Sequence, residues 1–333
     1  MRLTIREAHD LAARVMEALG HQPADAALIA DHLIDCELRG LAYGGLARAI
    51  SIAERVERHG DHRRPIDILH QTPVSARIDG GDHIGYVVAH RATTLAIEKA
   101  EAAGISVVGA GNTWYTGMLS YYAELAASRG LVSMIASNAS PWVAPHGATE
   151  GRLGTNPICF GFPSADKPVI LDIGTSAIIH AEVTLARRLG SQLPENVAFD
   201  RCGLPTRNPV AALAGAFAAW GGHKGSGLGI VVQLFGILAG SPAIPPELAG
   251  FGYIIVAIRP DLMGPAETFR ENVSAFAEAV RSARPVAGGS PVRMPFDRSR
   301  RERQKHISEN AIEVADVLVA QLTAISKRNP LAS

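Results

Sequence analysis

The chain has 333 residues, of which 47% are hydrophobic, and its 32 lysines and arginines balance its 32 aspartates and glutamates. A chain of this length and apolar content can bury a large core, in one large domain or in two. A net charge of zero shows no overall electrostatic preference for nucleic acid or an anionic membrane, so we expect neither as a partner.

Cysteine usage and the apolar pattern predict a soluble cytoplasmic protein. Cys36, Cys159 and Cys202 are odd in number and widely spaced, without a CxxC motif, as is typical of a reducing compartment. The N-terminal stretch MRLTIREAHD is charged and amphipathic, whereas a signal peptide would be apolar. The most apolar run, Leu228–Leu238, is too short to span a bilayer.

The N-terminal region is predicted to be a small helical unit. Thr4, with Glu7 three residues later, forms a capping box, and apolar residues then follow on one helical face until Gly20. A second helix starts near Pro23, and a third covers Leu46–Val56.

Beyond this unit, short apolar runs alternate with longer amphipathic ones, which predicts a mixed arrangement of strands and helices up to Ile258. The first of these elements are strands at Ile66–Leu69 and Val74–Ile78, a helix at Ile84–Ala103, strands at Ile105–Val108 and Leu131–Ala136, and between these last two a helix through Ala127. Two amphipathic helices are predicted near the C-terminus, at Glu267–Arg281 and Glu309–Leu322.

The stretch Ile170–Glu182 has the pattern of an anion-binding turn. A short strand, Pro168–Leu171, is followed by Asp172, and Gly174-Thr175-Ser176 then leads into an apolar run that continues to Leu189. Hydroxyls and backbone N–H groups at a helix start can hold an anion. The alternative interpretation is an ordinary helix cap followed by two solvated side chains, those of His180 and Glu182.

Two glycine-rich motifs do not fit the common nucleotide-binding patterns. The run from Gly109 follows a strand but has Trp114 where a dinucleotide fingerprint needs its third glycine, so we reject a Rossmann fold. The run GGHKGSG lacks the GK[ST] order of a P-loop, although its Lys224 could lie near a phosphate at the start of an apolar helix. A purely structural turn is the alternative.

No metal site is expected. His59 and His62 form a HxxH pair, but the pair lies in a polar loop and has no third ligand nearby in the sequence.

Four segments, taken in order, resemble one family. They are GRLGTNPICFGFP at 151–163, TSAIIHAE at 175–182, FDRCGLPTRNP at 199–209 and GGHKGSG at 221–227. In this order they are similar to the type-2 malate/L-lactate dehydrogenases, which use NAD(P) without a Rossmann fold. The resemblance runs from about residue 4 to about residue 320. The strings TSAIIHAE and GGHKGS look most like the branch of Δ1-piperideine-2-carboxylate/Δ1-pyrroline-2-carboxylate reductases.

The resemblance implies an α/β (α+β) fold in which a helical N-terminal unit accompanies a largely antiparallel sheet flanked by helices. It implies a substrate-side domain made of residues 1–75 and 285–333, and a non-Rossmann NAD(P)-binding domain made of residues 76–284. It further implies a homodimer, with NADPH as the expected cofactor and NADH left open.

The resemblance also assigns roles residue by residue. Arg48 corresponds to the arginine that holds the substrate carboxylate, for which a guanidinium fork is suited. Thr155 and His180 correspond to substrate contacts. The positions that correspond to cofactor contacts are Thr116, Gly117, Met118, Leu119, Asn138, Ser140, Asp172, Ile173, Gly174, His223, Lys224, Asp297 and Arg298.

The chain departs from the family at the residues that deliver the proton. The family motif is RG-x-x-Ser-His-G, but this chain reads RGLAYGG, with Tyr43 in place of the serine and Gly44 in place of the histidine. Tyr115 replaces a second family histidine, and Glu182 stands where the reductase branch has aspartate. Tyrosine chemistry, a reaction that needs no strong acid, and loss of activity are three explanations.

The missing histidines favour reduction of a cyclic imino acid. A ketone needs an acid because its oxygen gains charge as hydride arrives, whereas a cyclic imine can bind already protonated. Tyr43 and Tyr115 would then hydrogen-bond the nitrogen, and Glu182 would balance the iminium charge. The alternatives are a 2-hydroxy-acid dehydrogenase of the malate, lactate or ureidoglycolate type, acting on a keto acid in reverse, and a catalytically inactive, ligand-binding relative.

Overall fold

The structure, a computed structural model, describes residues 1–328. Its helices are α1 Ile5–Ala18, α2 Pro23–Leu38, α3 Leu46–His59, α4 Gly85–Ala103, α5 Leu119–Ser128, α6 His180–Leu189, α7 Pro209–Ala214, α8 His223–Leu238, α9 Ala266–Arg281, α10 Asp297–Glu309 and α11 Asp316–Ser326. Its strands are β1 Arg2–Leu3, β2 Asp67–Thr72, β3 Ser75–Asp79, β4 Ile105–Thr113, β5 Val132–Ser137, β6 Ile158–Phe162, β7 Val169–Ile173, β8 Ala198–Phe199, β9 Ala216–Phe217, β10 Phe251–Ile258 and β11 Ile312–Glu313.

The chain divides into two units. The first contains Met1–Arg63, Ala181–Ser191 and the described chain from Arg298 onward, and the second contains Arg64–His180 and Gln192–Asp297. These limits differ from the expected 1–75 with 285–333. The hairpin of β2 and β3 pairs with β4 and so belongs to the sheet of the second unit. Helix α6, from Ala181 onward, belongs to the first unit.

The first unit is helical, as the sequence predicts. The capping box at α1 is confirmed, since Thr4 Oγ1 accepts from the Glu7 N–H at 3.2 Å and Glu7 Oε2 accepts from the Thr4 N–H at 2.8 Å. Helix α1 packs against α2, α3 and α11. The predicted helix Glu309–Leu322 is wrong at its start, because Ile312–Glu313 pairs with Arg2–Leu3 as a short antiparallel ribbon before α11 begins.

The second unit is built on a seven-stranded sheet with the order β2-β3-β4-β10-β5-β6-β7. Among these neighbours β3 and β4 are parallel, and the other pairs are antiparallel. The expected largely antiparallel, non-Rossmann sheet is therefore confirmed. Strand β4 runs past its predicted end at Val108 to Thr113, because β10 pairs with it along the glycine-rich stretch.

The sheet of the second unit carries helices on both faces. Along β10, Tyr253 and Ile255 join the core formed with α4 and α5, whereas Ile254 between them packs with Val232 of α8. Helix α8 lies so close to the sheet that a Cβ on Gly252 would be 2.4 Å from the Gly236 carbonyl oxygen. No helix within residues 1–328 combines the length and apolarity needed to cross a bilayer.

Candidate active site

The turn that carries Tyr43 leads directly into α3 in the first unit. The Gly44 N–H donates to the Leu41 carbonyl at 2.8 Å, and the Arg48 N–H donates to the Gly45 carbonyl at 2.8 Å. The side chains of Tyr43 and Arg48 are both partly exposed. The turn therefore presents a phenol, and the first turn of α3 presents a guanidinium, on neighbouring parts of one short segment.

A buried carboxylate lies under this turn. Glu37 is 8% exposed, and its Oε1 accepts from the Leu46 N–H at 2.6 Å, at the point where α3 begins. An anion at a helix N-terminus satisfies a free N–H group and opposes the positive end of the helix dipole. The sequence analysis missed Glu37. Its only sequence signal is an acidic residue in the last turn of a helix, just before a glycine-rich turn, and other acidic residues on α2 hide that signal.

The stability of the protein should depend on pH through Glu37. Burial raises the pKa of this carboxyl from 4.5 to about 7, while the Leu46 N–H lowers it in part. In this window the folded state binds the proton more tightly than the unfolded chain does, so Glu37 makes the protein less stable as pH rises from about 4.5 to about 7. The free energy of unfolding of Glu37→Gln, relative to that of the wild type, should therefore increase by about 3 kcal/mol between pH 4.5 and 7 and stay constant above pH 7. Thermal melts from pH 4.5 to 8 check this, with Glu57→Gln, at an exposed position, as control. A difference in stability between Glu37→Gln and the wild type that does not change with pH would contradict it.

Glu182 lies in the first turn of α6, within the same unit as Tyr43 and Arg48. Arg188, further along α6, joins this helix to α3. Its Nη1 donates to the Ala47 carbonyl and to Ser51 Oγ, both at 3.1 Å, and its Nη2 pairs with Glu54 at 2.7 Å. The first unit thus brings the helices that carry Arg48 and Glu182 together.

The anion-binding turn that the sequence predicts at Gly174-Thr175-Ser176 is not a helix start. Helix α6 begins at His180, and Ser176 before it forms an isolated antiparallel bridge with Ala219. The Thr175 N–H donates to the Thr155 carbonyl at 3.0 Å, and the Ala177 N–H donates to the Ala218 carbonyl at 2.8 Å. These N–H groups are therefore used within the fold.

Thr155 and His180 both lie in the second unit. The Thr155 carbonyl also accepts from Thr175 Oγ1 at 3.2 Å, which leaves its partly exposed side chain as the group that could meet a ligand. The His180 ring stacks on Trp142, with ring centroids 4.1 Å apart and planes 21° from parallel. Trp142 was not a sequence candidate, because an aromatic residue in a loop is no signal by itself.

The two predicted cofactor segments 116–119 and 172–174 meet in the second unit. Asp172 Oδ2 accepts from the Ser120 N–H at 2.7 Å, so its carboxylate caps the start of α5. Burial raises the pKa of Asp172, and the hydrogen bonds from Ser120 and Leu119 lower it. The N-terminus of α5 is therefore already capped by a carboxyl group of the protein itself. Thr116 Oγ1 donates to Ser137 Oγ at 2.9 Å.

Two predicted cofactor contacts have their side chains engaged inside the fold. Asn138 is buried; its Oδ1 accepts from the Gly252 N–H at 2.7 Å, and its Nδ2 donates to Ser241 Oγ at 2.9 Å. Ser140 Oγ donates to the Pro246 carbonyl at 2.9 Å and accepts from the Leu248 N–H at 2.8 Å. The polar contacts described for these side chains hold the loop after β5.

Tyr115 is a buried residue, 8% exposed, with its backbone in the left-handed region at φ 49°. Its ring meets Trp114 edge-on, with centroids 5.6 Å apart. A packing role thus accounts for this ring, and its predicted catalytic role stays a prediction.

The first turn of α8 fits a phosphate better than that of α5. Gly221 and Gly222 have φ values of 61° and 62°, and the Gly222 cap brings no side-chain hydrogen bond to the helix start. His223 and Lys224, the first two residues of α8, are exposed beside the N–H groups of this helix start. Free N–H groups, the positive helix end and a lysine charge are the features that hold a nucleotide phosphate. The residues present therefore fit the phosphate part of NAD(P).

Replacing Lys224 by alanine should weaken NAD(P)H binding about tenfold, because one charge-assisted contact is lost. The melting temperature should hardly change, since Lys224 is exposed in a glycine turn. Calorimetric titration with each nucleotide measures both the loss and the preference between NADPH and NADH. The exposed Lys167→Ala is the matched control, and full affinity in Lys224→Ala would remove Lys224 from the site.

Asp297 is held by an arginine within the second unit. Its two carboxylate oxygens accept from Arg281 Nε and Nη2 at 2.9 and 3.0 Å, and its Oδ2 also accepts from the Met294 N–H at 3.1 Å. Arg298, the next residue, is exposed at the start of α10. The Asp297 carboxylate therefore fixes the entry to α10, and Arg298 is the freer candidate for a ligand contact.

Comparison with known proteins gives matches along nearly the whole chain. A family model described as malate/L-lactate dehydrogenase matches residues 3–323. L-Sulfolactate dehydrogenase from Methanothermobacter thermautotrophicus is 32% identical over 94% of this chain and 95% of its own. Ureidoglycolate dehydrogenase (NAD(+)) from Escherichia coli O157:H7 is 30% identical over 100% of both. The crystal structure of Δ1-piperideine-2-carboxylate reductase from Pseudomonas syringae pvar. tomato has a TM-score of 0.81 and 27% identity, covering 98% of this chain and 99% of its own.

Proposed function

Because the chain belongs to the malate/L-lactate dehydrogenase family, we propose that it is an NAD(P)-dependent oxidoreductase that interconverts a small 2-hydroxy acid and its 2-oxo acid. The observation that supports this choice is the match to L-sulfolactate and ureidoglycolate dehydrogenases over nearly the full length of all three chains. Sulfolactate and ureidoglycolate are both 2-hydroxy carboxylates. The comparisons thus favour the hydroxy-acid alternative over the imine reduction that the sequence analysis preferred.

The proposed substrate contacts are residues whose side chains are partly exposed. Arg48, at the start of α3, binds the substrate carboxylate through its guanidinium fork. Thr155 and the His180 ring, which stacks on Trp142, are the substrate contacts that we propose within the second unit. Bound NAD(P)H would supply the hydride that reaches C2 of the oxo acid. His223 and Lys224 hold its phosphate at the start of α8.

The proton is the unusual part of the reaction in this chain. Reduction of an oxo acid places a proton on the former carbonyl oxygen, and the family histidine is replaced by Gly44. Tyr43, partly exposed in the same turn, is the group we assign to this hydrogen bond. A phenol is a weak acid, which predicts slow reduction near neutral pH. Oxidation of the hydroxy acid releases a proton and should therefore be faster at high pH.

Reduction of a cyclic imino acid is the second candidate function. Two points support it: the resemblance implies two histidines where this chain has Gly44 and Tyr115, and a piperideine-2-carboxylate reductase shares the fold at a TM-score of 0.81. A cyclic imine that binds as the iminium needs no proton from the protein during hydride transfer. Glu182 on α6 would then favour the cation by its charge.

One substrate panel separates the candidates. Purified protein is assayed with NAD(P)⁺ and sulfolactate, malate, lactate and ureidoglycolate, and with NAD(P)H and the corresponding oxo acids and Δ1-piperideine-2-carboxylate. Turnover of a hydroxy acid and its oxo acid supports the main proposal, and turnover of the imine alone replaces it with the second. No cofactor turnover with any of them, in protein that binds NAD(P)H, would indicate a ligand-binding relative.

We also propose that the protein is a homodimer that uses the outer side of α8. Ile230, Val231, Leu234 and Leu238 share one helical face, and the last two are 58% and 68% exposed. A contiguous apolar patch of this kind is typical of an interface between subunits. A second copy of this chain is the occupant that a homodimer requires.

Leu234→Glu should turn the dimer into a monomer, because a charge at the centre of an apolar interface loses its hydration. Light scattering after size exclusion measures the mass. Met263→Glu, at a site that is 90% exposed and not part of α8, is the control and should leave the mass unchanged. A dimer that persists in Leu234→Glu would move the interface elsewhere.

A further inference from the structure

The Glu37 carboxylate is not part of the ionic network around it. The arginines contact the neighbouring Asp35 instead. Asp35 Oδ2 accepts from Arg39 Nε at 2.7 Å, and Asp35 Oδ1 lies 2.7 Å from Arg303 Nε of α10. Glu37 instead points its Oε1 at a backbone N–H nine residues away along the chain. Burying a carboxylate costs free energy unless the group is hydrogen-bonded. The hydrogen bond from the Leu46 N–H is therefore the contact that has to account for the burial of Glu37.

The contact determines where α3 begins. Leu46 is the first residue of α3, and its N–H is one of the four at a helix start that no carbonyl of the helix can accept. The cap residue, Gly45, has no side chain to satisfy that group. Glu37 does so from the last turn of α2, and it thereby fixes the helix that carries Arg48.

The turn that carries Tyr43 packs closely against the same end of α2. A Cβ added to Gly45 would lie 2.3 Å from Glu37 Oε1 and 2.5 Å from its Cγ. A Cβ on Gly44 would lie 3.3 Å from Cys36 Sγ. The backbone at both glycines therefore lies against α2. At Gly45 the Glu37 side chain occupies the space that the Cβ atom of any other residue would need.

We propose that Glu37 is a positioning residue for the reaction: through the Leu46 N–H it fixes the Tyr43 turn and the start of α3, and so the place of Arg48. This role rests on the proposed function, in which Arg48 binds the carboxylate and Tyr43 meets the reacting oxygen or nitrogen. Glu37 itself touches neither substrate nor cofactor. The charged groups meet at the neighbouring Cys36 thiol instead: burial, Asp35 and Glu37 raise the pKa of Cys36, Arg39 and Arg48 lower it, and Arg303 lies beyond Asp35.

The first measurement is backbone hydrogen exchange, which needs no enzyme activity. In Glu37→Ala the amide of Leu46 and the peptide 40–48 should exchange at least about tenfold faster, because the cap is lost. Glu37→Gln keeps an oxygen acceptor and should retain the protection. Glu37→Asp, one methylene shorter, should lose it while keeping the charge. Exposed Glu57→Ala on α3 is the control.

The second measurement is steady-state kinetics with the best substrate from the panel. Glu37→Ala and Glu37→Asp should raise KM for the carboxylate and lower kcat, each by about tenfold, with the Kd for NAD(P)H unchanged. Glu37→Gln should restore both constants. A residue with only a structural role would lower the melting temperature without moving KM or kcat at temperatures well below it.

A double-mutant cycle tests the geometry. Gly45→Ala should reproduce the Glu37→Ala kinetics, because its Cβ displaces the carboxylate. In the Glu37→Ala background the same change should add little, since the space is then free, so the two effects should be clearly less than additive. Additive effects would overturn the geometry.

The outcomes are distinct from those of the substrate panel. Unchanged exchange in Glu37→Asp and Glu37→Ala overturns the proposal whatever the kinetics, and Glu37→Asp decides if Glu37→Ala fails to fold. Faster exchange with unchanged KM and kcat also overturns it, because the turn would then be held for stability alone. If the wild type turns over no substrate, the proposed function fails. The exchange experiment and the affinity for a small carboxylate probe, pyrrole-2-carboxylate, then decide the role of Glu37.

Discussion

Replacing Arg48 by lysine is expected to raise KM for the carboxylate substrate by about ten- to a hundredfold. Lysine keeps the positive charge but loses the paired N–H groups that bind both carboxylate oxygens. One to two charge-assisted hydrogen bonds correspond to about 1.5–3 kcal/mol, which is the size of this change. Because the binding of the nucleotide depends on other residues, its Kd should stay the same.

The control for Arg48 lies on the same helix. Arg58→Lys, near the C-terminal end of α3, makes the identical chemical change at an exposed position. Initial rates over a range of substrate concentrations, with saturating cofactor, give KM for the three proteins. If KM in Arg48→Lys equals that of the wild type for every carboxylate substrate, Arg48 is only a partly exposed charge on α3.

Replacing Tyr43 by phenylalanine is expected to lower kcat by about ten- to a hundredfold, toward the lower end of general acid catalysis, with KM barely changed. The substitution removes one hydroxyl and keeps the ring. With an oxo acid the loss should be seen at low and neutral pH, because reduction there still places a proton on the former carbonyl oxygen. With an imine it should be small at low pH, where the substrate carries its own proton.

Tyr121→Phe is the matched control, because this tyrosine lies on α5 in the second unit and has no assigned role. The pH profile of kcat from pH 6 to 10 is the measurement. Equal kcat values for wild type and Tyr43→Phe across the range would leave Tyr43 as a packing residue and make solvent the source of the proton.

The parts of the fold that the sequence predicts well depend on local signals. The capping box at Thr4 and Glu7, the glycine that ends α1 and the amphipathic pattern of α9 each act within one or two turns of chain. The antiparallel sheet was expected from the resemblance to the family, and it could not be derived from periodicity alone. Strand order is set by contacts between distant segments, such as β10 between β4 and β5.

The parts that the sequence does not predict depend on long-range hydrogen bonds. The carboxylate of Asp172 looks like a ligand contact at the end of a strand, but it caps α5, more than fifty residues earlier in the chain. The hydroxyls at Thr175 and Ser176 look like a helix start, but the nearby N–H groups pair with Thr155 and Ala218. Glu37 looks like one more charge on a helix, and its role depends on Leu46 beyond the turn.

Transfer of deuterium from the cofactor to the substrate tests the central claim most directly. The protein is incubated with NAD(P)H labelled with deuterium at the reactive carbon, together with each oxo acid and with Δ1-piperideine-2-carboxylate, and the products are analysed by mass spectrometry and NMR. We expect one deuterium at C2 of a hydroxy-acid product, formed by a protein that lacks the family histidine. Labelled cofactor that stays reduced, with no deuterium in any product, would contradict the claim that this chain is a working oxidoreductase.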